Sequence, residues 1–134
     1  EPIPSLSPSP DTNARMARFA GDQLGKQAIE ATDRAGFVVN SLLVPYLLSA
    51  IRMYDAGYAS AEDIDHGMVL GCGHPMGPLA LCDLIGLDTI RAIGASMYDE
   101  FKEPLYSPPP LLDRMVEAGL MGKKSGQGFY PYDV

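Results

Sequence analysis

Apolar positions recur at helical spacing along most of this chain. Between residues 10 and 24, Met16, Phe19, Ala20 and Leu24 return at intervals of three and four and predict one helical face. Ser9 can cap that helix, Pro10 suits its first position and Asp11 complements its dipole, while Gly25 ends it. Residues 26–32 alternate weakly and predict a short edge strand. Residues 37–56 are strongly apolar and predict a long helix closed by Gly57, with a kink expected at Pro45, which lacks a backbone donor. Its apolar residues cover more than one face, which suits a helix central in a core or buried against a partner.

Ser60 opens a further helix in a sequence resembling a capping box, and this helix is predicted to reach about Leu70. The stretch GCGHPMGP, residues 71–78, holds three Gly and two Pro and cannot continue it. A short helix over 79–85 follows, stopped by Gly86. Asp88 is the expected cap of the next helix, whose face carries Ile90, Ile93, Met97 and Phe101. A Pro-rich turn at 107–110 leads into a helix over 111–118, and a Gly- and Lys-rich tail ends on aromatics. With no repeats and no strong strands, the fold class reads as all-α or nearly so.

Composition narrows the function. A chain of 134 residues with 46% hydrophobic residues can bury one modest core. Opening on Glu1 rather than Met suits a piece of a longer chain, as it also suits a processed one. The net charge of -7, with Lys123-Lys124 as the one basic pair, argues against general nucleic-acid binding. No apolar run reaches the ~20 residues a membrane span needs, and no basic-then-apolar start suggests a signal peptide. Cys72 and Cys82 are spaced CX9C, which fits no zinc pattern. Both are expected to be buried or half-buried free thiols, which favours a reducing, cytoplasmic setting.

Two features could carry chemistry. Asn40 interrupts the apolar run 37–48. It either satisfies backbone groups near a helix start or aims an amide at a ligand or another catalytic group. Pro75, Met76 and Gly77 lie in the 71–78 loop, which either makes a tight interhelical turn or presents backbone amides and a flexible Met to a ligand. His66 and His74 lack metal-ligand spacing, so no metal site is expected. The segment GKKSGQGF is not a phosphate-binding P-loop, and by composition it reads as a flexible surface turn. With no GxGxxG and no Ser/His/Asp arrangement, the chain does not look like a complete active site.

The ordered motifs DRAGFVVNSLL, GHPMGPLALCDLIGLD and GKKSGQGFYPY resemble the C-terminal domain of the 3-hydroxyacyl-CoA dehydrogenase family, above all its short-chain bacterial 3-hydroxybutyryl-CoA members. The resemblance covers residues 33–132, and residues 5–32 look like the last helix and strand of that family's N-terminal domain. It therefore implies two parts: a remnant of an NAD-binding domain over 1–32 and a helical C-terminal dehydrogenase domain over 33–134. It implies that Asn40 orients the substrate and a catalytic His, and that Pro75, Met76 and Gly77 lie near an acyl pocket. NAD, the His, its Glu partner and a substrate-binding Ser would belong to an N-terminal domain outside this sequence. Asp83, Gly86, Leu87 and Asp88 would form a structural helix junction. Gly122, Lys124, Gly126, Gly128, Phe129 and Tyr130 would form a structural or interfacial closing turn. Ala35, Ser41 and Ser125 depart from the family's usual Pro, Arg and Thr, and the missing Arg removes a charge beside Asn40.

The implied partners are an acyl-CoA substrate and a second copy of the chain, whose contact would bury the apolar surplus of the long helix. The implied activity belongs to the intact parent, and the chain alone is expected to be inactive. Two other readings stand beside this one: a non-catalytic dimerisation or docking module, and a dehydrogenase acting on a 3-hydroxyacid that is not a CoA ester.

Overall fold

A computed structural model describes residues 38–133. The helix predicted at 10–24 and the strand predicted at 26–32 lie outside the described residues. The chain divides into two compact units, Glu1–Ser41 and Leu42–Val134. The described part is helical: α1 (Val38–Asp55), α2 (Ala61–Cys72), α3 (Pro78–Ile85), α4 (Leu87–Phe101) and α5 (Pro110–Glu117). Short 3-10 turns at Pro104–Tyr106 and Lys123–Ser125 complete it. Isolated bridges pair Gln127 with Gly122 and with Pro131, and no longer strand forms among the described residues.

Local chemistry accounts for the helix ends. Ser60 accepts a hydrogen bond from the Asp63 amide at 3.1 Å, and Glu62 and Asp63 complement the dipole of α2. This helix continues past the predicted Leu70 to Cys72. It stops at Gly73, which takes a left-handed φ of 69° while its amide and that of His74 bond back to Val69 and Met68. The longer helix carries Cys72 onto the surface, so only Cys82 is a buried thiol. Burial, and then the neighbouring Asp83 carboxylate, push the Cys82 thiol well above its ordinary range. Asp88 is not the cap of α4. The helix begins at Leu87, Gly86 holds the cap position without a side-chain bond, and Asp88 lies in the first turn.

One continuous core joins the five helices in the larger unit. From α1, Val44, Leu47, Leu48, Ala50 and Ile51 meet Ile64 of α2, Leu79 and Cys82 of α3, Ile90 and Met97 of α4, and Leu112 and Val116 of α5. Helix α1 runs unbroken through Pro45. It buries one stripe, and Leu42 and Met53 stay exposed on its other side, while Tyr54 packs edge-on against Phe129 with 5.4 Å between ring centroids. The apolar surplus read from the sequence is thus a surface property, not a sign that the helix is enclosed by its own chain. Arg52 fastens the Pro-rich segment by donating to the carbonyls of Pro104 at 3.1 Å and Ser107 at 2.7 Å.

Candidate functional site

Asn40 occupies the first turn of α1 and is half-buried. At 100° per residue it lies on the helical stripe of Val44, Leu47 and Ile51, the positions that this helix buries. It belongs to the unit Glu1–Ser41, whereas Pro75, Met76 and Gly77 belong to the unit Leu42–Val134.

The 73–77 loop joins α2 to α3. Pro75 and Met76 are exposed, and Gly77 is buried. Gly77 has no room for a side chain, because a Cβ there would collide with the Cα, Cβ and Cγ atoms of Asp65. Asp65 lies on α2, and its carboxylate is buried. Its Oδ1 accepts from the Leu79 amide at 2.7 Å, and its Oδ2 accepts from the Ala80 amide at 3.0 Å. Gly77, at the N-cap of α3, offers no side chain for those orphan amides, so α2 supplies the cap across the loop. The Tyr130 hydroxyl donates to the same Oδ2 at 2.6 Å.

A second buried carboxylate, Asp83 of α3, is 1% exposed. It accepts from the amides of Phe129 at 2.9 Å and Tyr130 at 3.0 Å, and from the Tyr132 hydroxyl at 2.7 Å. Two glycines let the closing turn approach: a Cβ on Gly128 would strike the Asp83 carboxylate, and one on Gly122 would strike its backbone. Gly122 also has φ 111°, which an L side chain rarely adopts. Ser125 ties the turn internally, receiving the Met121 amide at 2.9 Å and donating to Gly122 and Gln127 carbonyls. Lys124 Nζ pairs with Asp88 Oδ1 at 2.6 Å beside Gly86, which holds the Asp88 carboxyl below its usual range. The pair is about half exposed, so it adds register more than stability. The segment that composition marks as a flexible surface turn is therefore tied to both ends of α3.

Electrostatics keep these ties in one protonation state. Burial, and then donation to Asp65, raise the Tyr130 hydroxyl far above its ordinary range. Burial and donation to Asp83 do the same for Tyr132. Both hydroxyls remain donors at any physiological pH. Tyr46 of α1 meets His74 of the loop edge-on, with 5.6 Å between ring centroids and 3.2 Å between its hydroxyl and Nδ1. His74 is thus a structural neighbour of α1, and His66 is exposed. Among the described residues no group of His, Cys, Asp or Glu could hold a metal, and no helix is long and apolar enough to cross a membrane.

Asp65 escaped the sequence reading. The signal was present: a carboxylate on the same face as Ala61, Ile64 and Met68, where an apolar residue is expected. Asp83 within LALCDLI carries the same signal, although the resemblance did mark its junction as structural.

Comparison with known proteins adds the remaining findings. The profile described as 3-hydroxyacyl-CoA dehydrogenase, C-terminal domain, matches residues 36–132. A 3-hydroxybutyryl-CoA dehydrogenase of Mycobacterium tuberculosis is 64% identical over 119 residues, 89% of this chain and 42% of that protein. The mitochondrial hydroxyacyl-coenzyme A dehydrogenase of Homo sapiens is 49% identical over 110 residues, 81% of this chain and 35% of its own. The crystal structure of M. tuberculosis FadB2 superposes with a TM-score of 0.95 at 59% identity, covering 98% of this chain and 46% of that one. The (S)-3-hydroxybutyryl-CoA dehydrogenase PaaH1 from Ralstonia eutropha gives 0.92 at 45% identity, with the same coverage of each chain. The chain spans less than half the length of these relatives.

Proposed function

The chain belongs to the 3-hydroxyacyl-CoA dehydrogenase family, of which it carries the C-terminal domain, and from this we propose that it forms the substrate-facing, pairing half of an NAD-dependent enzyme interconverting 3-hydroxyacyl-CoA and 3-oxoacyl-CoA. The supporting observation is the 64% identity to a 3-hydroxybutyryl-CoA dehydrogenase across nearly the whole chain. A four-carbon acyl group is the corresponding substrate. Among the described residues there is no parallel sheet and no glycine-rich strand-to-helix turn, so these residues do not fit a dinucleotide. NAD is assigned to the remainder of the enzyme.

What this half contributes is placement. The Asn40 amide, at the start of a helix held by the core, can hold the substrate oxygen on carbon 3, or the imidazole of a base, by hydrogen bonds. Pro75, Met76 and Gly77 offer one exposed flexible apolar side chain beside a loop fixed by Asp65, which suits contact with an acyl chain. Exposed Met53, Tyr54, Tyr58 and Leu70 suit pairing with a second copy, and two free thiols suit a reducing, cytoplasmic compartment.

The intact enzyme is expected to oxidise NADH when given acetoacetyl-CoA and to scatter light as a dimer. The 134-residue stretch alone is expected to oxidise none. An intact enzyme that folds, yet shows no turnover with acetoacetyl-CoA, would exclude the reading in favour of a docking module or a non-CoA substrate.

A further inference from the structure

Among the described residues, Tyr130 is the one bonded to both buried carboxylates. Its amide donates to Asp83 Oδ2 at 3.0 Å, and its hydroxyl donates to Asp65 Oδ2 at 2.6 Å. The first bond, with that of Phe129, anchors the root of the side chain to α3. The second reaches the carboxylate that caps α3 and closes against Gly77. Asp65 would still cap α3 through the Leu79 and Ala80 amides without that hydroxyl. Loss of the hydroxyl therefore leaves the helix start intact but releases one of three constraints on the group against which the 75–77 loop rests. Tyr132 is the natural contrast. Its hydroxyl makes a similarly short bond, 2.7 Å, to Asp83, whose carboxylate is bonded within the closing turn by residues 129, 130 and 132.

We propose that Tyr130 is a positioning residue for the acyl group, its hydroxyl setting the place of the Pro75, Met76 and Gly77 loop through Asp65. The inference rests on the reading that this loop meets the acyl chain. Through this path the closing turn, far along the chain from the loop, enters the selection of substrate. The burial of Asp65 is what makes the path stiff: a carboxylate 6% exposed, with three donors, has little freedom to drift.

The test uses the intact enzyme and separates kcat from KM with a four-carbon and a six-carbon 3-oxoacyl-CoA, for Tyr130→Phe, Tyr132→Phe and Met76→Ala. Tyr130→Phe is expected to change KM by roughly three- to tenfold, the size of one net hydrogen bond, and to alter the ratio of KM values between the two substrates. Its kcat should stay within about twofold. Tyr132→Phe should leave the ratio unchanged, and Met76→Ala should shift it. A Tyr130→Phe ratio equal to wild type, with Met76→Ala shifted, overturns the inference and leaves the loop reading standing. An unchanged ratio in Met76→Ala removes the loop reading and the inference with it. Equal effects of the two Tyr→Phe changes, or a Tyr130→Phe enzyme that does not fold, make Tyr130 merely structural and also overturn the proposal.

Discussion

Asp83→Ala is expected to cost the domain about 3–5 kcal/mol of stability, the largest loss of any change made at a single polar side chain in the described residues. The carboxylate is 1% exposed and is the acceptor for two backbone amides and a tyrosine hydroxyl. Alanine removes the acceptor and leaves those donors in a site that water does not freely reach. Each buried donor left unsatisfied costs about 1–3 kcal/mol. The close approach of Gly128 to the carboxylate adds a void once the carboxylate is gone. For a domain of this size such a loss lowers Tm by more than about 10 °C. Asp83→Asn keeps one acceptor oxygen but turns an NH2 toward donors, so it should fall between alanine and wild type. Denaturant unfolding of the three proteins checks this, and a loss below about 1 kcal/mol for alanine would show that the closing turn finds its bonds elsewhere.

Asn40→Ala in the intact enzyme is expected to lower kcat by on the order of 10²-fold with little change in the unfolding midpoint, as when one preorganised donor is lost from a reacting oxygen. Asn40 is half-buried in the first turn of α1, where truncation removes one amide and little packing. If the residue served only the helix start, the effect would fall on stability, by about 1 kcal/mol, and kcat would hold. The two readings that the sequence leaves open are separated by which quantity moves. A kcat loss below about fivefold would exclude Asn40 from the reacting centre.

The helices were legible because each is written in local spacing and punctuation. Ser60, Gly57, Gly86 and the Pro residues at helix starts mark ends within a residue or two. The ends that moved did so for physical reasons. Gly71 is tolerated inside α2, and the left-handed position falls at Gly73 instead. Leu87 is bonded through its amide to the Met121 carbonyl at 2.9 Å, so α4 begins under a long-range constraint that no local motif shows. The two aspartate hubs were harder. Their hydroxyl and turn-amide partners lie 46 to 65 residues away, beyond the reach of any periodicity, and a carboxylate on an apolar face only says that some partner must exist. Asn40 and the Met76 loop were singled out as candidates from a polar break and a glycine-proline cluster, and their roles rest on resemblance.

Asp65 and Asp83 also set an order of events during synthesis. Chains leave the ribosome N-terminal end first, at about 5–20 residues per second. When α1 through α4 have emerged, Asp65 already has its α3 amides, but Asp83 has none of its three donors, because all of them come from residues 129, 130 and 132. A buried, unmatched carboxylate opposes closure of the core around it. The 129–132 segment thus acts as a keystone: the core around Asp83 is the part of the domain that closes last, once this turn has been made.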